Sequence, residues 1–244
     1  LAAQAIVSNS FLKPNYTWMT NVNGTINIIE SARSLKKKCT LILITSDKCY
    51  ENREIHVGYK ETDRLGGIDA YSASKASADI AIRSYFESFI KNEKKILLGV
   101  GRAGNVIGGG DWAPNRLIPD CIKSTALSKK MEIRNPNSTR PWQHVLEPLS
   151  GYINLAYSLN KNKKLNGEAF NFGPPIKNNF SVLKVIEQMQ LTWSEIKFRN
   201  SKKKNFIKES GLLNLNCNKA KKKLHWSSTL NFSETIEETV IWYK

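Results

Sequence analysis

Five residues in this chain have the types and spacing of a proton-transfer site. Ser46-Asp47-Lys48 follow a short apolar run, and Tyr71 and Lys75 stand four residues apart further on. In a helix, positions i and i+4 share a face, and an ammonium beside a phenol lowers the phenol's pKa. Tyr71 could then serve as a base near neutral pH. Ser46 could hydrogen-bond the same substrate hydroxyl. Tyr-x-x-x-Lys alone also occurs on ordinary helices, so it is the pairing with Ser46-Asp47 that makes the set specific.

The surrounding elements must bring these groups together. Leu41-Ile42-Leu43-Ile44 is a short β-branched run and is expected to be a buried parallel strand. Ala76 to Ile90 carries apolar residues at helical spacing (Ala78, Ala81, Ile82, Tyr85, Phe86, Phe89). Ser46, Asp47 and Lys48 therefore leave the C-terminal end of a strand, the edge at which open α/β sheets hold ligands. Residues 47–69 form a long polar loop, and long ordered loops are often functional.

Other segments read in the same way. Residues 16–35 predict an amphipathic helix with Trp18, Val22, Ile26 and Ile29 on one side, interrupted by Thr20 and Asn21. Ile96 to Val100 predicts a second strand, running into Asn105 and the triple glycine 108–110. Residues 115–128 predict a helix with Arg116 and Leu117 at its start, where backbone N–H groups and a guanidinium together favour an anion. Arg140 stands between prolines and has the planar fork that suits phosphate oxygens. Helices are expected over 145–159, 181–189 and 231–243, short strands over 169–172 and 212–217, and a Lys-rich loop over 197–208.

Bulk properties exclude several classes. The chain has 244 residues and 41% hydrophobic content, ordinary for a globular protein with one or two domains. No window is long and apolar enough for a membrane helix, and no secretory leader is visible at the N-terminus. The net charge of +16 could attract nucleic acid. However, the lysines fall in scattered triplets at 36–38, 202–204 and 221–223, which read as solvated faces. The four cysteines form no Cys-x-x-Cys, and the three histidines are widely separated. Neither a metal site nor a disulfide framework is expected, and a reducing cytoplasm fits.

The strings SDKCYENRE, GYKETDRLGGIDAYSASK, RAGNVIGGGDW and RNPNSTRPWQHVLEPLSGY resemble the extended short-chain dehydrogenase/reductases that act on nucleotide-sugars. Within them they are similar to the CDP-glucose 4,6-dehydratases. The resemblance runs the whole length and is densest over residues 41–175. It implies an α/β fold: a partial, Rossmann-like, doubly wound parallel sheet with its first strand–helix units missing, and a smaller mixed C-terminal substrate region. The expected division is 1–113 for the NAD-binding part and 114–244 for the interleaved sugar-nucleotide part. In that family Leu1-Ala2-Ala3-Gln4 follows the fourth strand. The chain is accordingly read as a fragment without the glycine-rich dinucleotide fingerprint and is expected to be inactive by itself.

The resemblance also implies roles. NAD would lie against Leu1, Ala2, Ala3, Thr20, Tyr71 and Lys75. The CDP-sugar would meet Asn105, Arg116, Leu117, Arg140 and Asn171. Ser46, Asp47, Lys48, Tyr71 and Lys75 would carry a lyase reaction: oxidation at C4, loss of water across C5 and C6, and return of hydride to C6. Asp47 would then have to be protonated, and burial should keep it so; Lys48 should be buried and uncharged to act as the base. The dTDP-glucose enzymes usually carry Glu in place of Lys48. A homo-oligomer and a setting in O-antigen or other cell-surface glycan synthesis are implied in the same way. The alternatives are a 4-epimerase or decarboxylase of the same fold, an inactive binding module, and a basic nucleic-acid binder.

Overall fold

A computed structural model of the chain describes residues 2–201 and 212–244. Its centre is a parallel sheet of three strands, in the order Cys39–Ile44 (β1), Ile96–Ala103 (β2) and Ala169–Phe172. Leu41 lies beside Leu98, and Arg102 beside Asn171. Every residue of β2 is buried, as its unbroken apolar run requires of a central strand. β1 departs from expectation: only Leu43 is fully buried, because β1 lies at the edge of this sheet. Parallel strands need crossover connections, and helices supply them here on both faces.

On one face Ile29, Ile82, Phe86 and Ile90 pack against Leu43, Leu98 and Val100. On the other, Leu155 and Leu159 of the helix Leu146–Lys161 pack against Leu97, Phe170 and Phe172. The second contact is close because β2 is glycine at two positions. A Cβ on Gly99 would come within 2.9 Å of Leu159, and one on Gly101 within 2.7 Å of Tyr152. A second core gathers Ile118, Ile122, Trp142, Ile186 and Ile236 from the C-terminal part of the chain.

Several boundaries differ from the sequence expectation. The helix expected over 16–35 runs as Pro14–Trp18, a wide turn over Met19–Asn23, and Gly24–Ser34. Trp18 is exposed, because the wide turn rotates it away from Ile29. The helix bearing Tyr71 begins earlier than its apolar periodicity suggests, spanning Ala70–Tyr85 and continuing through Phe86–Ile90. The expected strand 212–217 is reduced to one bridge between Leu215 and Tyr59. Phe198–Asn200 is a strand paired with Met131–Ile133, and residues 202–208 of the expected Lys-rich loop lie outside the described residues. Asn218–Leu224 is a helix that the sequence reading did not anticipate.

Candidate active site

The site begins where β1 stops. The Thr45 N–H still bonds to the Gly101 carbonyl, at 2.9 Å, and Ser46 then turns the chain into the short helical turn Asp47–Cys49. The Ser46 hydroxyl caps that turn by accepting the Lys48 N–H at 3.2 Å and donates to Asp47 Oδ1 at 2.9 Å. The Tyr71 helix is capped by Asp69, which accepts the Ser72 N–H at 2.9 Å. Tyr71 and Lys75 consequently lie in its first turns, both buried, and the phenol faces the Ser46 hydroxyl.

Burial sets the protonation states. Asp47 is 2% exposed. Desolvation raises its pKa, against the opposing charge of Lys48 and the hydrogen bond from Ser46. Its Oδ2 is buried with no hydrogen-bond partner among the described residues, beside Gly104, where an added Cβ would stand 3.2 Å from it. Lys75 is driven the other way: burial lowers its ammonium to about 8. Lys48, expected to be buried, is only half-buried, unlike its neighbour.

One expectation is corrected here. Tyr71 is not lowered by Lys75; burial pushes the phenol up to about 12, opposed chiefly by the Ser46 hydroxyl and also by the charge of Arg116. The physical reason is that Lys75 sits in the same dry environment and is itself pushed toward neutrality.

The expected substrate residues divide into two groups. Arg116 precedes the helix Leu117–Ala126, pairs with Asp111 at 2.8 Å and lies close enough to act on Tyr71. Leu117 opens that helix and packs on the C-terminal core. Arg140 is 6% exposed, donates to the Thr139 carbonyl at 2.7 Å and acts on Asp47 through its charge. Asn105 is half-buried, and its carbonyl accepts the Gln143 N–H at 3.1 Å. Asn171 does not join them. It is fully buried: Oδ1 accepts the Tyr50 hydroxyl at 2.7 Å, and Nδ2 donates to the carbonyls of Tyr59 and Asn216 at 2.8 and 3.2 Å. With both ends of its amide committed to protein, Asn171 is a structural tie rather than a nucleotide contact.

Of the residues expected against the dinucleotide, Leu1 lies outside the described residues. Ala2 is exposed, and Ala3 and Thr20 are half-buried. A chain of buried polar groups missed in the sequence joins this region to Tyr71. The Gln4 N–H donates to Asn21 Oδ1 at 2.8 Å, Asn21 Nδ2 donates to Ser74 Oγ at 2.9 Å, and Ser74 Oγ donates to the Tyr71 carbonyl at 2.7 Å. Asn21 within an apolar helix was the available signal, since a polar residue on a buried face needs partners. The donor-rich, buried Lys75 ammonium makes no hydrogen bond among the described residues, and Lys75 stands one helical turn from Tyr71. This donor set fits the ribose hydroxyls of a dinucleotide.

Comparisons with known proteins identify the family. A family model described as GDP-mannose 4,6 dehydratase matches residues 1–239. The chain is 40% identical over 248 residues to the CDP-glucose 4,6-dehydratase of Salmonella typhimurium, with all of this chain and 69% of the relative covered. It is 25% identical over 287 residues to the dTDP-D-glucose 4,6-dehydratase of Dictyostelium discoideum, spanning 63% of it. The fold is similar to that of the dTDP-glucose 4,6-dehydratase DesIV of Streptomyces venezuelae, solved with NAD bound, with a TM-score of 0.78 and 19% identity over all of this chain and 71% of that one. It is also similar to RMD of Pseudomonas aeruginosa, complexed with NADPH, with a TM-score of 0.82, 16% identity and coverage of 100% and 79%. By the family match and the 40% relative together, the chain belongs to the nucleotide-sugar 4,6-dehydratase family.

Proposed function

We propose that the full-length protein converts CDP-glucose to CDP-4-keto-6-deoxyglucose and water. The observation that carries this reading is Asp47: a carboxyl whose pKa burial raises, with one buried oxygen unpaired among the described residues, joined through the Ser46 hydroxyl to Tyr71. An epimerase needs the phenol and the amine but not the adjoining acid. The choice of CDP-glucose over other nucleotide-glucoses rests on the 40% relative and on Lys48 where the dTDP-glucose enzymes usually carry Glu.

NAD, when bound, supplies the two-electron exchange with the sugar that opens and closes the reaction, and Ala3, Thr20, Tyr71 and Lys75 would hold it. Tyr71, once ionised, takes the proton of the sugar 4-hydroxyl while Ser46 holds that oxygen. With C4 at the ketone level the C5–H is acidic, and Lys48 removes it. Asp47 gives its proton to the departing 6-hydroxyl, and water leaves. Arg116, which acts on Tyr71, and Arg140, which acts on Asp47, neutralise the diphosphate. Among the described residues no helix is long and apolar enough to cross a membrane. The four free cysteines suit a reducing compartment, and on that ground we assign the protein to the cytoplasm. Exposed Ile80 and Phe89, on the Tyr71 helix and its continuation, support a homo-oligomer.

The test is proton exchange. In the full-length protein carrying Lys48→Ala, the C5 proton of CDP-glucose should stop exchanging with deuterated solvent. Continued exchange would place the base elsewhere. Wild-type protein should yield a 4-keto sugar, seen by its ultraviolet absorbance in alkali; epimerised sugar without that absorbance would favour the epimerase.

A further inference from the structure

Directly beneath the site lies a buried polar cluster that the chemistry above does not use. Arg102, on β2, is 4% exposed. Its guanidinium forks onto Asp79, with Nη2 to Oδ1 at 2.6 Å and Nε to Oδ2 at 2.8 Å. Asp79 Oδ2 also accepts the Thr45 hydroxyl at 2.9 Å. The remaining nitrogen, Nη1, donates to the Tyr50 hydroxyl at 2.8 Å and to the Glu61 carbonyl at 3.0 Å.

Each partner sits next to a residue of the site. Thr45 immediately precedes Ser46. Asp79 lies one helical turn beyond Lys75, on the same face. Tyr50 follows Lys48 by two positions, and Glu61 belongs to the loop that leads to Tyr71. One guanidinium therefore joins the strand end that carries the acid and the helix that carries the phenol. A buried ion pair is a weak source of stability, because desolvation offsets the attraction. A bidentate fork nevertheless fixes direction as well as distance.

We infer that Arg102, Asp79 and the Thr45 hydroxyl form a positioning clamp that sets Ser46-Asp47-Lys48 in register with Tyr71 and Lys75. The inference rests on the dehydratase reading, since its effect is measured on that reaction. All three are buried. They act through the neighbours they hold, and a small misplacement of reacting groups lowers turnover steeply.

Thr45→Val and Thr45→Ser in the full-length enzyme test this. Valine keeps the shape and loses the hydroxyl; serine keeps the hydroxyl and loses the methyl. The clamp predicts that Thr45→Val lowers kcat by roughly tenfold or more, leaves KM within about twofold, and leaves the melting temperature near wild type, whereas Thr45→Ser restores most of the rate. Mere packing predicts the opposite order, with serine the more impaired. Wild-type kcat in Thr45→Val, or a loss matched by Thr45→Ser, would overturn the clamp. If wild-type protein forms no 4-keto sugar, it is the reaction assignment that fails. Amide hydrogen exchange then still decides the clamp: Thr45→Val should quicken exchange at both Lys48 and Lys75, and no change at either site would refute it.

Discussion

The Ser46 hydroxyl donates to Asp47 Oδ1 at 2.9 Å, while Asp47 Oδ2 is buried with no hydrogen-bond partner among the described residues. A carboxylate would leave that second oxygen both charged and unsolvated. Burial therefore shifts Asp47 toward its protonated form, the form that the elimination of a hydroxyl requires.

Asp47→Asn should expose this through stability as well as rate. A carboxyl whose pKa is raised by folding binds its proton more tightly folded than unfolded, so stability falls as pH rises above the unfolded value near 3.8. The amide has no such liability. Asp47→Asn should melt at or above the wild-type temperature at pH 7, and that advantage should shrink as the pH falls toward 4. Loss of water from the sugar should be strongly slowed while exchange of the C5 proton continues. Thermal unfolding at both pH values, with deuterium incorporation, checks both parts.

Lys75→Met should trade activity for stability. Burial lowers the ammonium to about 8 from 10.5. The unfolded chain thus binds more protons between those values, and the cost of charging Lys75 is fully present below pH 8 and relieved as pH rises toward 10.5. At about 1.4 kcal/mol per unit, removing that cost is worth up to about 3 kcal/mol at pH 7. Denaturant unfolding at pH 7 should show the gain, and dehydratase activity should disappear.

Tyr71→Phe removes the phenolic oxygen and little else. Turnover should fall by ~10²-fold or more, as for loss of a general base, with KM and melting temperature nearly unchanged. A rate within a few-fold of wild type would move the base to another residue.

Asn171→Ala and Arg140→Lys should separate a structural tie from a ligand contact. Asn171→Ala strips three buried side-chain hydrogen bonds and should destabilise the fold by about 2–4 kcal/mol without a selective change in KM. Arg140→Lys keeps the charge but loses the fork, and should raise KM for the nucleotide-sugar by about tenfold. Equilibrium unfolding and steady-state kinetics on both variants distinguish them; a raised KM in Asn171→Ala with normal stability would return that residue to the binding site.

Local pattern was enough for the strands that carry the site and for the helix of Tyr71, because apolar periodicity and a strand-end Ser-Asp-Lys are properties of neighbours along the chain. The same is true of the capping of the C-terminal helix by Asn231 and Glu234. Which polar residues face the cleft could not be read that way. Asn171 and Arg140 both look like ligand residues in one dimension, yet the fold closes three protein groups around one of them and sets the other beside Asp47. The protonation states were equally out of reach: Asp47, Tyr71 and Lys75 are shifted mainly by loss of water, and desolvation depends on everything packed around a group. The clamp joins Thr45, just past β1, with Arg102 on β2 and Asp79 on a helix, so it exists only once the sheet has brought distant segments together.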